Sequence, residues 1–249
     1  MSSDETVILT ILFLLIALLY ASVGQAGASG YLAAMGLFGL TPAAMKTTAL
    51  SLNLLVAGIG TIQFWRSGLL SWRSFYPFAV LGFPFSLIGG AVQLPKHLYY
   101  PIVGIILLLS AVQMVRSARK QDADRPSLPA QPPFLPALLA GAAIGFVSGT
   151  TGTGGGIFLA PVILSMNWVT VRRTAAVTAA YNLLNSAAAL IGAHGILGSL
   201  PQTLPVWLGA VGIGGAVGAF VGSRYLPDNT LRYVLALILF ASGLKLVLT

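Results

Sequence analysis

The sequence predicts an all-α polytopic membrane protein made of two inverted repeats, each with about five helical segments. Three observations carry this expectation. The chain is 57% hydrophobic and 7% charged, with a mean hydropathy of +0.90; soluble domains carry roughly a quarter charged residues. Apolar runs such as "VILTILFLLIALLYASVG", "PIVGIILLLSAVQMV" and "LRYVLALILFASGLKLVL" approach or reach the roughly 20 residues that cross a bilayer as a helix. They lack the alternation, in segments of about ten residues, of a membrane β-barrel. Finally, one half of the chain can be laid on the other.

The first repeat, residues 1–116, reads as helices over 6–23, 29–40, 44–64, 74–94 and 98–116. A charged, proline-rich stretch, "RSARKQDADRPSLPAQPP", divides the chain, and residues 117–133 are assigned to a cytoplasmic linker. The second repeat, residues 134–249, reads as helices over 134–148, 154–166, 171–192, 203–223 and 230–248. The second segment of each half is short or re-entrant, so 8–10 membrane segments are expected. On this alignment Gly24 and Gly27 fall on Gly149 and Gly152, and Asn53 on Asn182. Gly68-Leu69-Leu70 falls on Gly195-Ile196-Leu197, and Leu94-Pro95 on Leu226-Pro227.

Positive charge tests the count of crossings. If the first two segments of each half form a hairpin, with the amino terminus outside, ten cations lie inside. These are Arg66, Arg73, Arg116, Arg119, Lys120, Arg125, Arg172, Arg173, Arg224 and Arg232; only Lys46, Lys96 and Lys245 lie outside. One broken span in place of the hairpin divides them six and seven, which is no bias. The hairpin therefore wins. An odd number of crossings per half inserts the halves upside down relative to each other, the inverted repeat common in secondary transporters; a channel can share it. The acidic start "MSSDET" lacks the basic region of a signal peptide, so the first run is expected to stay as a helix. The net charge of +8 reads as a topology signal, with no nucleic-acid partner implied.

Two polar glycine seams interrupt the apolar chain: "GTTGTGGG" at 149–156 and "GQAGASG" at 24–30. Glycine weakens a helix by about 1 kcal/mol relative to alanine. In hydrocarbon, backbone leaves helical form only where protein or trapped water satisfies it. Each seam therefore marks a polar cavity near mid-membrane, followed by a short helix starting at Ser29 or near Gly154. The free N–H groups and positive dipole end of such a start favour an anion. Candidate binding residues are Gln25, Gly27, Ala28, Ser29 and Gly30 in the first seam. In the second they are Thr150, Thr151, Gly152, Thr153, Gly154 and Gly155. Asn53, Asn182 and Asn185 sit mid-segment, where an amide can meet an oxyanion or bond a neighbouring helix. A lone glycine more often serves close helix packing, but packing motifs need a continuous helix, which "TTGTGGG" interrupts.

All five acids, Asp4, Glu5, Asp122, Asp124 and Asp228, fall in the terminus or loops. Cation pathways and proton relays use intramembrane carboxylates, so the pattern favours an anion carrier. His97 and His194 fall at segment ends. Trp65, Trp72, Trp168, Tyr99 and Tyr100 read as interfacial anchors, and Arg172 and Arg173 as topology markers. There is no cysteine, and no metal cluster, phosphate loop or nucleophile–base pair is read. The expectation is no cofactor, no metal and no enzyme activity.

The stretch "SGTTGTGGGIFLAPVILSMNWVTVRRTAAVTAAYNLLNS" resembles the glycine-rich signature of the TauE/SafE family of sulfite exporters and anion permeases. "VGQAGASGYLAAMGLFGL" with "KTTALSLNLLVAGIGTIQFWRSGLL" is similar to the first-half copy, particularly that of the sulfite-exporting branch. Gly36 stands where the second half has Pro161. The resemblance implies export of sulfite, or a closely related small sulfur oxyanion, across the bacterial inner membrane by alternating access. Its other members leave uptake of thiosulfate or a sulfonate open, and a passive anion channel is a further alternative. A small anion and the lipid bilayer are the expected partners, and a homodimer is left open.

Overall fold

The computed structural model describes residues 3–119, 131–166 and 168–224, together with 237, 239–240 and 243–248. Most of the expected linker, the Leu226-Pro227 match and much of the tenth segment lie outside the described residues, as do Lys120, Arg125 and Arg232.

Nine α-helices are defined among the described residues: α1 (Ser3–Ser22), α2 (Ala28–Leu37), α3 (Pro42–Arg66), α4 (Trp72–Ala91), α5 (Lys96–Arg119), α6 (Phe134–Thr151), α7 (Gly156–Ser165), α8 (Val171–Gly192) and α9 (Leu204–Arg224). A short 3-10 helix, His194–Ser199, follows α8, and residues 243–248 are helical. No strand occurs among the described residues. Seven helices are long and apolar enough to cross a membrane. The other two, α2 and α7, have 10 residues each. At 1.5 Å per residue they reach about half of the ~30 Å hydrocarbon core.

Local chemistry sets the ends of these helices. Thr41 opens α3, its hydroxyl accepting from the Ala44 amide at 3.4 Å, with Pro42 at the first helical position. α6 closes at Gly152 in the left-handed conformation, φ 84°.

Glycine ladders set the packing. Gly141, Gly145 and Gly149 of α6 lie against the backbone of Phe78, Gly82 and Ser86 in α4. Gly214, Gly218 and Gly222 of α9 meet Leu14, Leu18 and Ser22 of α1 in the same way. A Cβ at any of the six would stand 2.0–2.5 Å from a carbonyl oxygen, so only glycine allows this approach. Gly149 is thus a packing residue inside α6 and no part of the break. Both registers rise together, so each pair is parallel. The first helix of each half packs on the fourth helix of the other.

The long helices α3 and α8 meet at the centre. Asn53 bonds Ser186, Gly58 faces Leu183 and Gly60 faces Ala179. One register falls as the other rises, so α3 and α8 run antiparallel. α9 runs parallel to α3, with Gly212 at Leu55, Gly215 at Val56 and Ser223 bonded to Gln63. Since α9 is also parallel to α1, α1 and α3 point the same way, and α2 returns between them. It starts level with Asn53 and ends beside the beginning of α3. The first two helices therefore form a hairpin.

Candidate functional site

The site grows from the two half-helix starts. Gly27 has φ 90° before Ala28; Gly154 and Gly155 have φ 78° and 85° before Gly156. Side chains rarely adopt these angles, and glycine adopts them at little cost. The half-helices thus begin at Ala28 and Gly156, close to the expected Ser29 and Gly154. The helix ends also shift the repeat alignment by three residues. Gly24, φ 73°, occupies the place of Gly152, and Gly27 that of Gly155. Pro161 then falls opposite Ala33 rather than Gly36.

Each start is held by the asparagine of its own half. The Ala28 amide donates to Asn53 Oδ1 at 3.0 Å, and the Gly156 amide to Asn182 Oδ1 at 2.7 Å. Asn53 stands on α3 and Asn182 on α8, so each long helix caps its neighbouring half-helix with a carboxamide oxygen. This is the N-cap chemistry of asparagine, performed from a distant part of the chain. The carbonyl ends are therefore committed to structure. Asn53 Nδ2 donates to Ser186 Oγ at 2.7 Å, across the junction of the halves. Asn182 Nδ2 has no acceptor among the described residues. The next amides, of Ser29 and Ile157, likewise have no protein acceptor there.

A cavity opens between the two starts, lined by Tyr20, Gln25, Ala26, Gly27, Ala28, Ser29, Asn53, Thr153, Ile157 and Asn182. It has room for about one water molecule. Both halves contribute matched pairs: Gln25 with Thr153, Ser29 with Ile157, and Asn53 with Asn182. A second cleft, too tight to hold a water molecule, adjoins it through Gln25 and Ala26, walled by Ala21, Gly24, Val56, Ala57, Gly60 and Ala179. Gln25 lies between the two clefts, and its Oε1 is buried without a partner among the described residues.

Seven of the anticipated residues line the cavity: Gln25, Gly27, Ala28, Ser29, Asn53, Thr153 and Asn182. The other seven stand behind it. Gly30 packs on Ile16 and Tyr20. Thr150 and Thr151 belong to α6, and their hydroxyls donate back to Phe146 O at 2.8 Å and Val147 O at 2.7 Å. Thr151 Oγ1 also lies 3.1 Å from Thr153 Oγ1. Gly152 backs onto Lys46, Gly154 onto Asn53 and Asn182, and Gly155 onto Asn185. Asn185 Nδ2 donates to Ser148 Oγ at 3.4 Å.

Tyr20, Ala26 and Ile157 complete the lining and were not anticipated; nothing in an apolar or mid-helix residue marks it as a cavity wall. Lys46, counted among the outer charges, is only 3% exposed inside α3. Apart from Asp4 and Glu5 at the start of α1, no acid lies among the described residues. The cavity is framed by positive helix ends and neutral donors.

Comparison with known proteins agrees with this architecture. The chain matches the sulfite exporter TauE/SafE family over residues 9–246. It is 58% identical over 243 residues to the "Probable membrane transporter protein y4hK" of Sinorhizobium fredii, with 98% of each chain covered. No solved structure matches it. The helical multi-pass fold and a match across nearly its whole length make this chain a membrane transporter, not an enzyme, and a member of the TauE/SafE family.

Proposed function

We propose that the protein exports sulfite, or a closely related small sulfur oxyanion, across the bacterial inner membrane by alternating access. In this reading the amino terminus faces outside and the central linker the cytoplasm. One observation carries it: two half-helix starts, each capped by a matched asparagine, flank one cavity shared between the halves. The amides of Ser29 and Ile157 and the Asn182 Nδ2 group can donate to an anion held there; the Ser29 hydroxyl, which donates to Tyr20 Oη at 3.3 Å, and the Thr153 hydroxyl, which donates to Thr151 Oγ1 at 3.1 Å, join them only by turning away from those partners. Dipole ends and neutral donors favour a small oxyanion without fixing it permanently, as a carrier requires.

The small size of the cavity, with room for about one water molecule, supports alternating access over a pore. The antiparallel pairing of α3 and α8 supports inverted insertion of the halves. An inside-negative potential favours outward movement of an anion by about 2.3 kcal/mol per charge per 100 mV, so export needs no coupling ion.

Reconstitution tests the reading. Liposomes holding the purified protein and loaded with sulfite should show saturable efflux, and unlabelled sulfite on the far side should drive counterflow. Non-saturating flux without counterflow identifies a channel instead. Stronger competition by thiosulfate or a sulfonate than by sulfite itself reassigns the substrate.

A further inference from the structure

Lys46 is the buried charge that the anion site does not use. It lies in the first turns of α3, 3% exposed, and no acid neutralises it among the described residues. Its Nζ donates to Gly90 O and Val92 O at 2.8 Å each and to Gly89 O at 3.2 Å. These carbonyls close the carboxyl end of α4, the negative end of its dipole. All three ammonium protons are thereby satisfied, with no carboxylate present.

Taking an ammonium out of water costs several kcal/mol, and a surface lysine can cap a helix without that cost. The other half shows this cheaper solution. There the Arg224 carbonyl at the end of α9 accepts from Arg172 Nη2 at 2.6 Å, in an exposed position, and the place of Lys46 is taken by Ala175. Among the described residues the interior charge therefore belongs to one half only. It also abuts the second seam, since a Cβ at Gly152 would lie 3.2 Å from Lys46 Cα.

Converging carbonyls at a helix end are the surroundings in which membrane carriers hold a coupling cation. Oxygens at 2.8–3.2 Å are too distant for magnesium or calcium, which bind at roughly 2.0–2.6 Å; they suit an ion of ammonium or potassium size. We infer that the Lys46 ammonium is a tethered monovalent cation: it fills a carbonyl site at the end of α4 that a free ammonium-sized ion occupies once the side chain is removed. The site itself stands on the geometry alone. Its part in transport, supplying a fixed positive charge in place of a coupling ion, rests on the anion-carrier reading.

The test is cation rescue of Lys46→Ala in the full-length protein. Melting is followed in detergent with choline, potassium, ammonium or methylammonium chloride, and with magnesium chloride at matched ionic strength. Wild type should melt alike in all five. Lys46→Ala should melt lower in choline and recover by about 3 °C or more in ammonium or potassium, with no recovery in magnesium. Equal melting of Lys46→Ala in every salt overturns the cation site.

In liposomes, its sulfite efflux should fall about tenfold in choline and return with ammonium. Should Lys46→Ala not fold, Lys46→Gln keeps much of the volume without the charge. Wild-type efflux by that variant in choline overturns the charge role. If wild type itself carries no sulfite, the anion reading fails, and the melting series still decides whether the cation site exists.

Discussion

Asn182→Asp separates what this asparagine does for the fold from what it does for a ligand. Asn182 Oδ1 caps α7 by accepting from the Gly156 amide at 2.7 Å. Aspartate keeps that acceptor and nearly the same shape. Its charge at a helix start adds about 0.3–1 kcal/mol of favourable dipole interaction, and its second oxygen can serve the unpartnered amide of Ile157. These gains offset only part of the several kcal/mol that burying a charge costs, so the variant should fold but melt lower than wild type. For a bound anion the change is severe: the Nδ2 donor is lost, and two negative charges about 4 Å apart repel by roughly 4 kcal/mol at an effective dielectric of 20. At 1.4 kcal/mol per decade, affinity falls by about three orders of magnitude. Asn182→Ala behaves in the opposite way, leaving the buried Gly156 amide without a partner at a cost of about 1–3 kcal/mol. Thermal melting and calorimetric sulfite titration of both variants provide the assay. An aspartate variant that folds and binds sulfite as wild type does refutes an anion site beside Asn182.

Three further outcomes are expected. Ser186→Ala removes the acceptor of Asn53 Nδ2, 2.7 Å away, and should lower stability by about 1–3 kcal/mol in a melting assay. Gly218→Leu drives a side chain into the Leu18 carbonyl, 2.1 Å from the first added carbon; the α1–α9 contact should lose about 3 kcal/mol, seen as early melting or poor extraction. Gly209→Ala on the same helix meets nothing within 4 Å and should gain up to about 1 kcal/mol from helix propensity alone.

The sequence reading located most helices within a few residues because apolar runs and their polar breaks are local signals. The seventh segment, expected at 154–166, is Gly156–Ser165, and the eighth matches at 171–192. The break itself was read too wide. Thr150 and Thr151 look like seam residues, yet each hydroxyl satisfies itself on the carbonyl four residues back, so α6 continues through both. Asn53 and Asn182 were picked out by matched position, but that they cap their half-helices through Oδ1 depends on contacts 25 and 26 residues away in the chain. The surroundings of Lys46 are hidden from the sequence for the same reason. A lysine near a segment end looks like a loop charge until three carbonyls from another helix are seen to surround it. The cavity wall at Ile157 carries no chemical signature and becomes visible only once the halves are assembled.

Under the alternating access proposed above, the opposite directions of α3 and α8 would make the two repeats antagonists rather than duplicates. Gly24 lies against Ala175 near the start of α8, and Gly152 against Lys46 near the start of α3, so the two contacts sit at opposite ends of the α3–α8 pair. The first is the tighter: an added Cβ would stand 2.1 Å from the Ala175 oxygen, against 3.2 Å from Lys46 Cα at the second. If the repeats rock as that proposal requires, wedging one end apart would close the other, so bulk introduced at matched positions would tilt the balance in opposite senses.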